Sequence, residues 1–384
     1  MRPVSRIWLL AALSAGGGLA SAQPIEVDSD IEAAVLASAL DGDNSDPESL
    51  LYELALDTRF ETVRDDGTKI SARLTLRGQR DHPLRPGFAG AFGGATGPAG
   101  GYSGLTGSTP GEDTGMRARL ETAYIEMDGG YGELRAGKDR GVAARFHEGA
   151  PSALTYSGVA NPYLDPSGLK LVRTNHDLTG PSVKASYATP RILGLRAGVS
   201  FTPDAGGDHL DRSLAALPGQ PDLTNAMEVA ANLSRTLRSS RTRIKASLAW
   251  SSAEIAGVPP GARDDVSTVS AGASVETAGF EFGGSWLRSD NGFRRADYEA
   301  WEVGAARAFG ETTVSLGYGE ADDTLAALSS RSINIAASKE LRDGLDVAIS
   351  WQDEEIDTRT QRKSGSGIVV EITLMSGFFE MSAN

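Results

Sequence analysis

Histidine is the side chain that most readily serves as a metal ligand or general base near neutral pH, and this chain has four: His82, His147, His176 and His209. All four fall in predicted loops. His147, beside Glu148, has no second histidine at helical spacing with which to hold a metal. The absence of cysteine removes thiolate catalysis and Cys-ligated metals, and no Gly-x-Ser-x-Gly elbow occurs. The stretch GFAGAFGGATGPAGGYSGLTG is followed by no Lys-Ser/Thr pair, so it reads as a loop and not as a phosphate cradle. What recurs instead is charge in alternation. In RTRIKASLAW, Arg241, Arg243, Lys245, Ser247 and Ala249 share one register, while Thr242, Ile244, Ala246, Leu248 and Trp250 share the other. A row of cations acts electrostatically on water and ions, and it needs a strand to display it.

Side chains of a strand alternate between faces, so each such run is a strand with one charged face and one oily face. KISARLTLR sets Ile70, Ala72, Leu74 and Leu76 against Lys69, Ser71, Arg73, Thr75 and Arg77; GLDVAISW shows Leu345, Val347, Ile349 and Trp351 in phase. Sixteen runs are expected between about 30 and 378, each about ten residues, the length of a tilted membrane-crossing strand. After the second, the connections alternate in length. They are short at 62–66, 129–130, 190–192, 238–239, 278, 310 and 341–343, and longer at 80–115, 141–180, 204–223, 253–264, 290–296, 321–329 and 355–365. Tight turns therefore gather at one end and long loops at the other, as in an outer-membrane barrel. A β-sandwich has no cause to sort its loops by length.

The first residues agree with export. Arg2 and Arg6 precede the apolar run Ile7 to Leu13, and Ala20-Ser21-Ala22 offers a cleavage site, so residues 1–22 read as a signal peptide. The remainder, 23–384, is expected to be one barrel, because no later stretch is long and apolar enough for a spanning helix and no linker divides it. Removing Arg2 and Arg6 takes the formal charge from -14 to -16, which argues against a nucleic-acid partner.

With the oily registers toward lipid, strands three to nine enclose Arg73, Arg77, Arg117, Lys184, Arg196, Arg241, Arg243 and Lys245. Strands ten to sixteen contribute Glu276, Glu281, Glu302, Asp346 and Glu371. Unpaired buried charge is prohibitively costly, so such an interior must hold water. Sixteen strands close a barrel wide enough for an aqueous channel.

Three hairpins, KASYATPRILGLRAGVSFTPDAG (184–206), AYIEMDGGYGELRAGKDRG (123–141) and AWEVGAARAFGETTVSLGY (300–318), are similar to hairpins of the Gram-negative general-diffusion porin family in its alphaproteobacterial form. The resemblance extends over essentially the whole mature chain. It implies an all-β, 16-stranded antiparallel transmembrane barrel in outer-membrane lipid, usually a homotrimer, passing small hydrophilic solutes and ions without a cofactor. Loop 80–115 would latch onto a neighbour. Loop three, 139–173, would fold inward as the constriction, with Glu148 and Asp165 as its acids facing a basic wall of Arg119, Lys138 and Arg173. Two departures stand out. Where the family often places a wall arginine on the second strand, LLYELALDTRF offers Glu53, Asp57 and Arg59. Family chains usually stop on an aromatic residue, whereas Phe378-Phe379 is followed here by EMSAN. A substrate-specific porin for sugars or anions is the alternative. Sugar passage needs an aromatic ladder along the bore, yet the aromatics fall mostly on the lipid register, and 141–172 is not the cation-rich loop that phosphate would require.

Overall fold

The computed structural model describes residues 24–43, 50–85, 100–105, 116–205, 222–256 and 261–383, with the backbone alone for Arg117 and 378–383. Residues 1–22, read as a signal peptide, lie outside the described residues. The alternating runs form sixteen strands: β1 (Ile25–Gly42), β2 (Leu50–Val63), β3 (Lys69–Arg80), β4 (Arg117–Gly129), β5 (Gly132–Asp139), β6 (Ser182–Ala188), β7 (Leu195–Asp204) and β8 (Asp222–Leu237) make the first half. The second half is β9 (Thr242–Ala256), β10 (Asp265–Thr277), β11 (Phe280–Ser289), β12 (Tyr298–Phe309), β13 (Thr312–Asp323), β14 (Leu328–Arg342), β15 (Leu345–Asp357) and β16 (Arg362–Ala383). A single helical turn, α1 (Val142–Arg145), follows β5. Each strand pairs antiparallel with its chain neighbours, and β1 pairs with β16, closing the barrel.

The faces are assigned as the alternation requires. Leu54, Leu248, Phe282, Leu316, Ile335 and Ile349 are each more than half exposed on the outside, while Ser200, Ser251, Ser274, Ser332 and Ser350 are buried inside. Such an outer surface would be unstable in water and suits hydrocarbon. Trp286 lies toward the long-loop end of β11 and its Nε1 donates 2.8 Å to Glu299, so its apolar body and polar tip are both satisfied there, whereas Trp351 stands at the middle of β15. At the opposite end the turns are tight. Ala278 and Gly279 both have positive φ (51° and 79°), the two-residue connection whose twist matches its strands.

Two features depart from the sequence reading. The residues after Phe379 are not a free tail: β16 runs on to Ala383, paired with a β1 that starts at Ile25 instead of 30, past a register shift at Ser29/Asp30. The bore is also not polar throughout. Toward the long-loop end, inward Leu223, Ile255, Val266, Leu287 and Ile356 pack against Leu169, Leu171 and Leu178 of loop three and Tyr102 of loop 80–115. Loops that fold inward must bury their own apolar residues, so the wall facing them turns apolar. Gly100–Leu105 therefore sits inside its own barrel: Tyr102 and Ser103 donate backbone N–H to Asn291 Oδ1 (3.3 and 3.0 Å). Residues 86–99 and 106–115, the rest of the expected latch, lie outside the described residues.

Candidate functional site

Loop three leaves β5 at Arg140, crosses the bore and returns to β6 at Ser182, running eight residues past the expected end at 173, and the wall it follows is made to receive it. Inward positions along that track are small: Gly198, Ala230, Ala249, Gly283, Gly304 and Gly317 on β7, β8, β9, β11, β12 and β13. A Cβ at Gly304 would stand 3.0 Å from Pro151 O and 3.1 Å from Ala150 Cβ, and one at Gly317 3.1 Å from Val159 Cγ2, so larger residues would push the loop away. Carboxylates then capture the loop's backbone. Glu371 accepts from Thr155 N (2.8 Å), Tyr156 N (3.1 Å) and Ser157 N (3.2 Å); Glu228 accepts from Ala143 N (3.3 Å) and Thr179 Oγ1 (3.0 Å); Glu302 accepts from Thr174 Oγ1 (3.0 Å) and Ser285 Oγ (2.7 Å). The acids of β8, β12 and β16 are thus spent on seating loop three.

The opposite wall carries cations paired with acids of neighbouring strands. Arg77 contacts Glu53 and Glu121 and lies over the Tyr163 ring, 5.0 Å from its centroid. Arg73 pairs with Asp57 (2.8 Å), Arg196 with Glu133 (2.9 Å), and Arg140 Nη2 with Glu121 Oε1 (2.9 Å). Arg119, Arg140 and Arg173 converge with Asn175 and Asp177 on one cavity of about 150 Å³. Burial opposes the charge of Arg140, but Asp177, Tyr163 and Glu121 outweigh it and raise the pKa. Two tyrosines hold the return stretch that carries Arg173 and Asn175. Tyr298 Oη accepts from Arg173 N (2.8 Å) and donates to Leu171 O (2.9 Å), Tyr102 Oη donates to Asn175 O (2.8 Å), and their rings lie 5.4 Å apart.

Of the expected constriction residues, Arg119 and Arg173 are brought together and the others are not. Glu148 points to the wall, held by Lys245 Nζ (3.2 Å) and Ser274 Oγ (2.7 Å). Asp165 is fully buried and accepts from Ser167, Gly168 and Lys170 backbone N–H (3.0, 3.0 and 2.8 Å); it shapes a turn, as aspartate does in loops, and presents no charge to water. Lys138 pairs in register with Val183, an exposed outward residue, so it belongs to the outer face. Arg241 stands in the turn before β9 with φ 52°, off the wall. Lys184 faces inward but is sealed, its Nζ donating to Thr179 Oγ1 (2.8 Å) and Gly180 O (2.7 Å). Arg73, Arg77, Arg196, Arg243 and Lys245 keep inward positions, Arg243 opposite Glu276. Arg117 stands opposite Gln79 in the ladder, its side chain outside the described residues. Arg140, Asn175 and Asp177 are the residues sequence reasoning missed. Arg140 adjoins the end of β5 in the hairpin 123–141, which was the one available signal. Asn175 and Asp177 depend on a loop path that periodicity does not encode.

The Gram-negative porin family model matches residues 9–359. No curated protein matches the sequence. Among solved structures, the anion-selective porin from Comamonas acidovorans is similar at 14% identity, covering 92% of this chain and 99% of that one with a TM-score of 0.55. Pseudomonas putida OprB is similar at 10% identity (92% and 94%, TM-score 0.60), and the outer membrane channel DcaP of Acinetobacter baumannii at 12% (94% and 99%, TM-score 0.56). At such identities the likeness shows the fold. The family match supplies the rest: a closed barrel with an oily outside and charged bore, matched over residues 9–359, the chain belongs to the Gram-negative porins, outer-membrane channels for passive diffusion.

Proposed function

We propose that this porin passes small hydrophilic solutes and ions past an arginine-lined eyelet and prefers anions. The observation that carries the reading is the division of labour around the bore. Glu228, Glu302 and Glu371 are occupied in seating loop three, while Arg119, Arg140 and Arg173 meet at the cavity on its other side. Fixed cations in a narrow, low-dielectric passage attract anions and align water and solute dipoles, so apolar solutes lose hydration without compensation. Asp177 replaces Glu148 and Asp165 as the loop's acid at that point.

Residues 1–22 serve as a cleaved export signal, and three copies assemble in outer-membrane lipid. The likeness of its hairpins to those of a family that is usually trimeric supports the assembly. The test is a reversal potential for purified protein in a planar bilayer across a KCl gradient. We expect conductance with chloride preferred, and a shift toward potassium in Arg119→Gln and Arg140→Gln. Absence of conductance overturns the channel, and a potassium preference in the unaltered protein overturns its sign.

A further inference from the structure

The eyelet cavity holds more than cations. Asn175 Oδ1 and both carboxylate oxygens of Asp177 accept no hydrogen bond among the described residues, although these atoms are buried. Arg140 Nε stands 3.8 Å from Asp177 Oδ2, an ion pair without a hydrogen bond. Buried acceptors without donors are expensive, and most so when charged. The same cavity of about 150 Å³ is lined by Arg119, Arg140 and Arg173. The same space thus brings together planar forks that match a carboxylate and three oxygens that match the three N–H donors of an ammonium.

We propose that this eyelet is a low-affinity binding site for zwitterionic α-amino acids, with the carboxylate on Arg119 and Arg173 and the ammonium on Asp177 and Asn175. The two charges of an α-amino acid are one carbon apart, so both fit a cavity whose volume suits about six heavy atoms. A plain carboxylate would leave the Asp177 and Asn175 oxygens unmet, and a plain amine would meet three guanidinium groups of its own sign. Weak binding is what a channel tolerates, since the solute must also leave. The proposal rests on the cavity being the narrow part of the conducting path.

Purified full-length protein in planar bilayers, in dilute KCl at pH 7, separates the possibilities with three probes: alanine, propionate, which lacks its ammonium, and ethylamine, which lacks its carboxylate. Alanine is expected to reduce the current with an apparent Kd in the millimolar range, propionate about tenfold more weakly, and ethylamine not at all. Asp177→Asn should bring alanine down to the level of propionate and leave the propionate response in place. Asn175→Ala, which keeps the Asp177 charge, should weaken alanine by a smaller factor and serves if Asp177→Asn fails to assemble. Equal potency of alanine and propionate, or an alanine response unchanged in both variants, overturns the proposal, as does a conducting channel that ignores all three probes. A protein that does not conduct overturns the channel reading as well, and so differs from every result that defeats this site alone.

Discussion

His176 is locked between two serines, its ring nitrogens 2.8 Å from Ser270 Oγ and 2.6 Å from Ser251 Oγ, with no exposed surface. Burial, with some repulsion from His147, lowers its pKa to about 3; burial lowers that of His147 to about 4, Glu148 opposing the shift only in part. Both rings are therefore neutral with loop three seated. A detached loop would protonate each histidine near the ordinary value of about 6.5. The seated state thus keeps its full advantage above that pH and loses it as pH falls toward 4, by about 1.4 kcal/mol per histidine for each pH unit. Current fluctuations of single channels should accordingly grow between pH 6.5 and 5, a window in which unperturbed carboxylates stay ionised. The double variant His147→Asn/His176→Asn should lose that growth, and a variant that fluctuates like the parent would remove both histidines from the acid response.

The strands were legible because each repeats a rule of period two that the chain states locally: KISARLTLR shows β3, and GLDVAISW β15, without reference to any other part. Loop three was legible only as a length. Its path depends on contacts such as Thr155 N to Glu371 Oε1, 216 residues apart, and on wall glycines whose purpose is invisible until something lies against them. That is why Glu148 and Asp165 were expected at the eyelet while Asp177 was not: acidic character is written in the sequence, but the direction a loop residue faces is set by its docking partners. The small-residue track makes a prediction at this scale. Gly304→Val places bulk where a Cβ already meets Pro151 O and Ala150 Cβ, costing the docked loop about 1–3 kcal/mol. Larger, noisier single-channel currents with a weaker chloride preference are expected, while the heat-dependent gel mobility of the folded barrel stays unchanged. Currents identical to the parent's would show that the loop does not depend on this contact.

A barrel of this kind is an ordinary globular protein with its solvents exchanged, and the exchange is incomplete. Leucines and isoleucines face outward and charges face inward, but at the long-loop end the bore carries its own apolar core, where Tyr102, Leu171 and Leu178 meet Leu223, Leu287 and Ile356. Width for water therefore comes from the wall that loop three leaves uncovered and not from strand number alone, and a chain of net charge -14 can bring Arg119, Arg140 and Arg173 to one cavity because much of its acid is spent on docking or faces other surfaces. The face assignment can be tested with one residue type in two places. Leu248 on β9 is outward and 59% exposed, whereas Ser234 on β8 shares the inward register with Lys245. Leu248→Arg sets a guanidinium in hydrocarbon and should destabilise folding into phospholipid vesicles, followed by urea titration, by about 2–4 kcal/mol. Ser234→Arg sets the same group in water inside the bore, so its cost should stay below about 1 kcal/mol, the size of an ordinary surface change. Its effect should appear in conductance instead. Equal destabilisation by the two arginines would mean that β8 and β9 do not separate lipid from water as their registers require.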